Sequence, residues 1–569
     1  MRFISIFLAA ALLCGTACGN IKEKPEQDGV VIGAYVMGVG KGLPDPSLMT
    51  HINYAFAHVN ETFDGVFLPD AEGLEQVVSL KKHNRDLKVL LSVGGWGSGR
   101  FSEMAADAGL RSSFAEDCAA KVKKYRLDGI DIDWEYPTVG TAGISFSPDD
   151  TDNFTLLMRD IRAAIGEDKL LTLASVCTAR YVDFKDILPY IDYVNVMAYD
   201  MGGADGGHHA ALHRSENAGF FTAEEAVDMH LAAGVPPQKI VLGMPFYGRG
   251  ERGYTPFGAS DGGHSAEVWD DVAMVPLLFD DAGRMVFGFE NVRSITAKCD
   301  FLKSKGLRGG MYWEYNVDND SHDLARTVHD CLADYRPSRH VLVVYEGAGQ
   351  HKPFTDAALA WMTPMLEEKG IAVAGIHNMN CVTAGFLDSF DAVIQLDFPP
   401  YTWPKAAEDT FIDYIENGKG GYIGFHHATL LGNFDGYPMW RWFSDFMGGI
   451  TYRNYIAPLA DGDIHVEAPQ HPVMEGVDSV FTILDDEWYI YDRSPRETEY
   501  IQVLASVDEN SYRPDSDIRM GDHPAVWTNT AVKSRNVYFI FGHSPKLLEN
   551  PNFRKLFTNS IDWVLCNAD

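Results

Sequence analysis

The sequence predicts a two-part α/β fold: a barrel of eight β/α units, then a doubly wound open α/β domain. Three observations carry this. Eight short apolar, β-branched runs, at 30–36, 51–57, 88–93, 129–134, 170–176, 193–198, 240–245 and 309–313, alternate with segments of helical pattern, as in βα units around a parallel sheet. After the stretch 336–339, which carries Pro337 and Ser338, strand-like runs begin again at 341–345, 392–396, 421–425 and 537–541, with helical segments such as 357–369 and 410–417 between them. The chain is also long enough, at 569 residues, for two full cores, and its 46% hydrophobic and 22% charged content is ordinary for a globular protein.

The chain opens with Arg2, an apolar run at 3–13 and small residues up to Cys18, which together read as an export signal too short to span a bilayer. Residues 15–18, Gly-Thr-Ala-Cys, resemble a bacterial lipoprotein cleavage site. That implies a signal peptide over 1–18, Cys18 as the lipidated N-terminus and a polar tether over 19–28. Gly15 stands where such sites usually carry Leu, so plain secretion is the alternative. The expected location is a bacterial cell envelope, with the membrane touched only through the lipid, or the exterior. The net charge of −33, from 47 basic and 80 acidic residues, excludes nucleic acid as a partner, because phosphate binding needs clustered Lys and Arg. A neutral polysaccharide is compatible with it. Cys118, Cys177, Cys299, Cys331, Cys381 and Cys566 show no metal-type spacing and read as mostly buried thiols, with a disulfide among them left open.

The fourth run ends in the stretch Asp-Gly-Ile-Asp-Ile-Asp-Trp-Glu-Tyr-Pro at 128–137, where Ile130, Ile132 and Trp134 alternate with Asp131, Asp133 and Glu135. A period of two places all three acids on one strand face. Alternation usually marks a solvated sheet face. Here the row of like charges sits at the C-terminal end of a strand among repeated βα units, which is where barrel active sites are built. Crowded carboxylates cannot all ionise, so one of them, with Glu135 the candidate, is expected to hold a proton near neutral pH.

The stretch resembles the Asp-x-x-Asp-x-Asp-x-Glu signature of family 18 glycoside hydrolases, the chitinase family, with Asp128, Asp131, Asp133 and Glu135 matching position by position. The resemblance extends over about 30–335 and implies a (β/α)8 TIM barrel over 29–335. It also implies a mechanism in which the substrate's 2-acetamido oxygen attacks the anomeric carbon while Glu135 protonates the leaving oxygen. Asp133 would orient the acetamide NH, and Asp131 would tune Asp133 from behind. Further matches fall at strand ends. SVGGW at 92–96 implies backbone approach to a sugar at Gly95 and stacking of Trp96 on the leaving-group side. MAYD at 197–200 implies a Tyr199 hydroxyl on the acetamide oxygen, with Met197 and Asp200 beside it. Phe56, Tyr247 and Arg249 would line the cleft, and Trp313 would floor the cleavage subsite. The segment 250–289 is short where many chitinases carry a larger α+β insertion, which implies a shallower cleft. The Gly- and His-rich segment 201–219, with His208, His209 and His213, reads as a mobile substrate loop.

Residues 340–569 resemble the ThuA-like (trehalose-utilisation) family, which has a class I glutamine-amidotransferase-like fold related to the flavodoxin type. The matching pieces are GGYIGFHHAT at 420–429, QHPVMEGV at 470–477, DDEWY at 485–489, FGHSP at 541–545 and the run at 550–565. Where that fold presents a cysteine, this chain reads Gly424, Phe425, His426, and an imidazole forms no thioester, so no glutaminase activity is expected. His351, His426, His471, Glu487 and His543, with His427 and Asp486 nearby, form the expected second-domain pocket for a sugar or sugar derivative. The competing reading scatters them as separate surface residues. Spacing assigns no resident metal and no cofactor anywhere in the chain, although a divalent ion near His426 and Glu487 is compatible with the sugar pocket.

The expected activity is endo-acting hydrolysis of β-1,4 bonds between N-acetylglucosamine units in a polysaccharide or oligosaccharide such as chitin. One alternative is an endo-β-N-acetylglucosaminidase acting on N-glycans. The other is a chitin- or sugar-binding lectin-like module, which typically lacks the acid that Glu135 supplies here.

Overall fold

The computed structural model describes residues 29–566, apart from Lys41 and 203–205, 251–252, 258–265 and 337–338; the signal segment, Cys18 and the tether lie outside the described residues. Eight strands form the barrel: β1 (Val31–Met37), β2 (His51–Val59), β3 (Lys88–Gly94), β4 (Gly129–Asp133), β5 (Leu170–Val176), β6 (Tyr193–Met197), β7 (Ile240–Pro245) and β8 (Gly309–Trp313). Every neighbouring pair is parallel, and β1 pairs with both β2 and β8, which closes the ring. The strands are buried along nearly their whole length because helices cover the outside and side chains fill the inside, which is why they read as continuous apolar runs.

On β4 the two faces divide the work. Trp134, just past its end, packs outward between Phe101 and Phe154, with ring centroids 5.3 and 5.5 Å away, on the helices Phe101–Ala106 and Asp150–Ile165. The acids are therefore turned inward and up the barrel axis. Between β7 and β8, the strands Tyr247–Gly250, Thr255–Pro256, Ala266–Asp270, Val275–Phe279 and Met285–Gly288 make a small antiparallel sheet beside the mouth.

The segment after β6 departs from the expected mobile loop. His208 and His209 are buried, His208 Nε2 lies 2.9 Å from the Phe289 carbonyl, and His213 Nδ1 lies 2.8 Å from Glu224. Backbone bonds from Met201 to His209 and from Gly219 to His208 hold the described part of the segment together, and Leu212 N–H donates to the Ala273 carbonyl in a turn of the small sheet. His208 and His213 serve as hydrogen-bonding groups there, while His209 packs its ring 5.2 Å from that of Tyr247 with Nδ1 3.6 Å from Asp200.

The second domain is built on β9 (Arg339–Val344), β10 (Ile371–Ile376), β11 (Ala392–Gln395), β12 (Gly421–Phe425), β13 (Ala460–Val466), β14 (Val480–Asp486), β15 (Ile501–Arg513), β16 (Pro524–Asn529) and β17 (Asn536–Phe539). The sheet order is β10-β9-β11-β12-β17-β16-β15-β13-β14. The first five strands are parallel and the remaining pairings antiparallel, so the open parallel sheet expected from sequence is half of a larger mixed one. The helices Lys352–Glu368 and Lys405–Glu416 start about five residues before the predicted segments. Buried His340, at the start of β9, reaches the Gly306 carbonyl at 2.8 Å and ties the second sheet to the barrel. All six described cysteines are free thiols.

Candidate functional site

The three acids of β4 and its following turn rise from the barrel interior to the mouth in order of decreasing burial: Asp131 is fully buried, Asp133 is 4% exposed and Glu135 is half-buried. Asp131 lies in a polar plug across the barrel, where it accepts hydrogen bonds from Tyr35 (2.8 Å), Ser92 (2.7 Å), Thr172 (2.6 Å) and Asn195 (3.2 Å). Burial pushes its pKa up and these four donors pull it partly back. Asp133 has no such help. Its Oδ1 is buried without a hydrogen-bond partner, and burial, together with the charges of Glu135 and Asp131, holds its pKa well above the carboxylate range. Burial raises Glu135 as well, to about 7, with the charge of Asp200 adding to the effect and the Tyr136 hydroxyl opposing it. A carboxylic acid that keeps its proton near neutrality thus faces the cleft.

That cleft has a volume of about 1100 Å³. Asp133, Glu135, Tyr199, Phe56, Gly95, Trp96, Met197, Asp200, Tyr247, Arg249 and Trp313 all line it, while Asp131 lies beneath the floor. Trp313 is stacked on Phe56 at 5.5 Å and tilted against Tyr35 at 5.6 Å, which presents an indole face at the base. Gly95 approaches so closely that a Cβ there would lie 2.6 Å from the Phe56 ring, and a Cβ on Gly94 would collide with the Asp133 carbonyl. These glycines, both at positive φ, let the end of β3 fold over the acid row, with Gly95 N–H donating to the Asp133 carbonyl at 2.8 Å. Trp96, next in line, is 65% exposed on the rim.

On the opposite wall Arg249 grips Asp200 with two hydrogen bonds of 2.7 Å, and the Tyr247 hydroxyl donates to Asp200 at 2.8 Å. Burial works against the charge of Asp200, but His209 and Arg249 outweigh it and keep the carboxylate ionised. Tyr199 is buried, and burial with the charges of Asp133, Glu135 and Asp200 raises its pKa well above 10, so it remains a hydroxyl donor. Sequence reasoning missed Tyr35, Tyr136, Cys177 and Tyr254 among the lining groups. For Tyr35 and Cys177 the signal was present, since both lie at the C-terminal ends of predicted strands. Tyr136 follows Glu135 directly.

In the second domain, donor atoms of His351, His426, Glu487 and His543 lie within 4.8 Å of one another. Burial lowers the pKa of both His351 and His426, which stay neutral imidazoles. His426 follows β12 at φ +30°, in the turn where the expected cysteine is missing. His471 does not join them: its Nδ1 accepts from Val473 N–H at 3.3 Å and its ring packs on Trp563 at 4.8 Å. It caps the short helical turn Pro472–Met474, which explains its place in the sequence. His427 packs its ring 3.9 Å from that of His351 but has its Nδ1 on the Asp397 carbonyl at 2.8 Å, and it is not one of the four converging donors.

A closed parallel barrel whose mouth holds a protonated carboxyl, an aromatic floor and a tyrosyl donor defines a glycosidase. Residues 26–319 match the family model for glycosyl hydrolases family 18, more than half of the chain, and the chain belongs to that family. Residues 340–564 match the family model for trehalose utilisation, ThuA. Chitinase A1 of Niallia circulans is 33% identical over 355 residues, covering 53% of this chain and 49% of that protein, so the chain spans about half of that relative's length. Chitotriosidase-1 of Mus musculus is 30% identical over 325 residues, 48% of this chain and 68% of the relative. A solved family 18 N-acetylglucosaminidase from Paenibacillus barengoltzii is 35% identical with a TM-score of 0.50, over 53% of this chain and all of the other.

Proposed function

We propose that the barrel hydrolyses β-1,4 bonds between N-acetylglucosamine units of chitin or chitooligosaccharides, acting internally and with retention of configuration. The observation that carries this is the state of the three carboxyls lining the cleft. Glu135 holds a proton at the mouth, Asp133 is buried and held protonated beneath it, and Asp200 is locked in the Arg249 fork. Among the described lining residues, therefore, no free carboxylate is left to act as nucleophile. A substrate that brings its own nucleophile, the 2-acetamido oxygen, fits such a site. Glu135 donates to the leaving oxygen, Tyr199 donates to the acetamide oxygen and aligns it, and the unpartnered Asp133 Oδ1 accepts a hydrogen bond from the acetamide NH. Asp131 acts through Asp133, while Phe56, Trp313 and Tyr247 carry the sugar faces.

Export underlies this reading, with cleavage after residue 17, a lipid on Cys18, the barrel over 29–335 and the second domain over 340–569. A second reading, exo-acting release of single N-acetylglucosamine units, is favoured by the likeness to the Paenibacillus enzyme. Mass analysis of early products from a chitopentaose and from a high-mannose glycoprotein separates these. Dimers and trimers support the endo reading, and monomer alone supports the exo one. A trimmed glycoprotein would move the substrate to N-glycans, and the absence of turnover on both would overturn the hydrolase assignment.

A further inference from the structure

Four segments far apart in sequence converge at the C-terminal edge of the second sheet. His351 immediately precedes the helix Lys352–Glu368, His426 follows β12, Glu487 follows β14 and His543 lies beyond β17. What they enclose is chemically one-sided. His426 Nδ1 lies 3.0 Å from the Ile540 carbonyl, so the ring hydrogen belongs on that nitrogen and Nε2 presents a lone pair. That lone pair faces Glu487 Oε2 at 3.0 Å, acceptor against acceptor. His543 Nδ1 lies 3.8 Å from the same oxygen, and it and His351 Nε2 are buried without hydrogen-bond partners. His351 as a whole is 7% exposed. Leaving such groups unpaired in a protein interior is costly, and a cation among them satisfies all four.

We propose that His351, His426, His543 and Glu487 bind a divalent transition-metal ion of the zinc class. Three imidazoles with one carboxylate suit such an ion and do not suit calcium or magnesium, which require oxygen ligands. The supporting contacts are those of a metal site. The Ile540 carbonyl fixes the orientation of the His426 ring, and buried Asp486 accepts from the backbone N–H groups of Gly542 and His543 at 3.2–3.3 Å and holds the His543 loop in place. The cluster is most open beside Glu487 and His543, whose side chains are each 14% exposed. A water or a ligand hydroxyl completes the coordination from that side.

The test uses the full chain, stripped with a chelator, reloaded with Zn²⁺ alone, passed through gel filtration and analysed for metal by mass spectrometry. The expected result is stoichiometric zinc with a rise in Tm. His351→Ala and Glu487→Gln are expected to lose the ion, and His471→Ala, outside the cluster, to retain it. Co²⁺ alone in place of zinc should give visible absorption typical of imidazole-rich ligation, abolished in Glu487→Gln. That substitution keeps size and polarity, so it reads the site even where His351→Ala does not fold. Wild-type chain that leaves the column without zinc, or unchanged zinc in Glu487→Gln, overturns the proposal.

Discussion

The barrel mouth and the rim of the second sheet both bury titratable groups, but burial drives the two toward opposite chemistries. Removing a carboxyl from water disfavours its anion, so Asp133 and Glu135 keep protons; removing an imidazole from water disfavours its cation, so His351 and His426 keep lone pairs. The first region is a proton source and the second a set of electron-pair donors. Their shapes follow the same division. The mouth opens into about 1100 Å³ edged by aromatic rings, whereas the imidazole cluster holds its donor atoms within 4.8 Å of one another.

The sharpest way to separate the two regions is Glu135→Gln. It removes the transferable proton while keeping size and polarity, so kcat on chitooligosaccharides should fall by roughly 10²- to 10⁴-fold, the usual share of general acid catalysis, with KM little changed and zinc uptake by the second domain intact. Activity near wild type would remove Glu135 from the mechanism. The same variant reads the cost of the proton store. The folded-state pKa of Glu135, about 7, lies above its ordinary value, so its stabilising contribution is complete in acid and lost as pH rises through about 7. Thermal unfolding of Glu135→Gln should therefore decline less between pH 5 and 8 than that of the wild type, with the variant the more stable of the two at pH 8.

The next effect is a displacement of the pH profile. Because the acid must be protonated, kcat/KM should fall above about pH 7, and the Asp200 charge contributes to placing the limb there. Asp200→Asn removes that charge and leaves the Arg249 cation without its partner, and both changes favour ionised Glu135. The alkaline limb should move to lower pH; an unmoved limb would mean that burial alone sets the Glu135 pKa.

The two regions also differed in how far the sequence disclosed them. The barrel strands were legible because both faces are buried, and its cleft residues sit within a few positions of strand ends, in short contiguous motifs. The strands β13, β14 and β15 were not, since each alternates buried with half-exposed residues and carries groups such as Asp463, Thr482 and Asp508 on its wetter face. β10 is not among the strand-like runs read from the sequence; only Lys369 and Gly370 separate it from the preceding helix. The imidazole cluster has no spacing to read, because four loops supply one ligand each. The histidines were visible as candidates, but nothing local distinguished His543, which faces the cluster, from His471, which caps a helical turn and packs on Trp563. The His-rich segment after β6 misled for a related reason: glycine and histidine suggest mobility by composition, whereas here they fill the tight space between the mouth and the small sheet.

The smallest effect tests whether the openness of the mouth is itself functional. Trp96 is 65% exposed, makes no contact that the fold requires and lies on the rim, on the side expected to receive the leaving portion of the chain. An exposed indole gains by covering the apolar face of a sugar, and one such contact is worth about 1 kcal/mol, or roughly a fivefold change in binding. Trp96→Ala should therefore raise KM severalfold for chitopentaose while leaving hydrolysis of a short aryl glycoside unchanged, because the latter offers no sugar to that side. Since the ring is free of the core, Tm should not move. Equal losses on long and short substrates would place Trp96 in the bond-breaking step, and no loss on either would show that the rim opposite Arg249 holds no sugar.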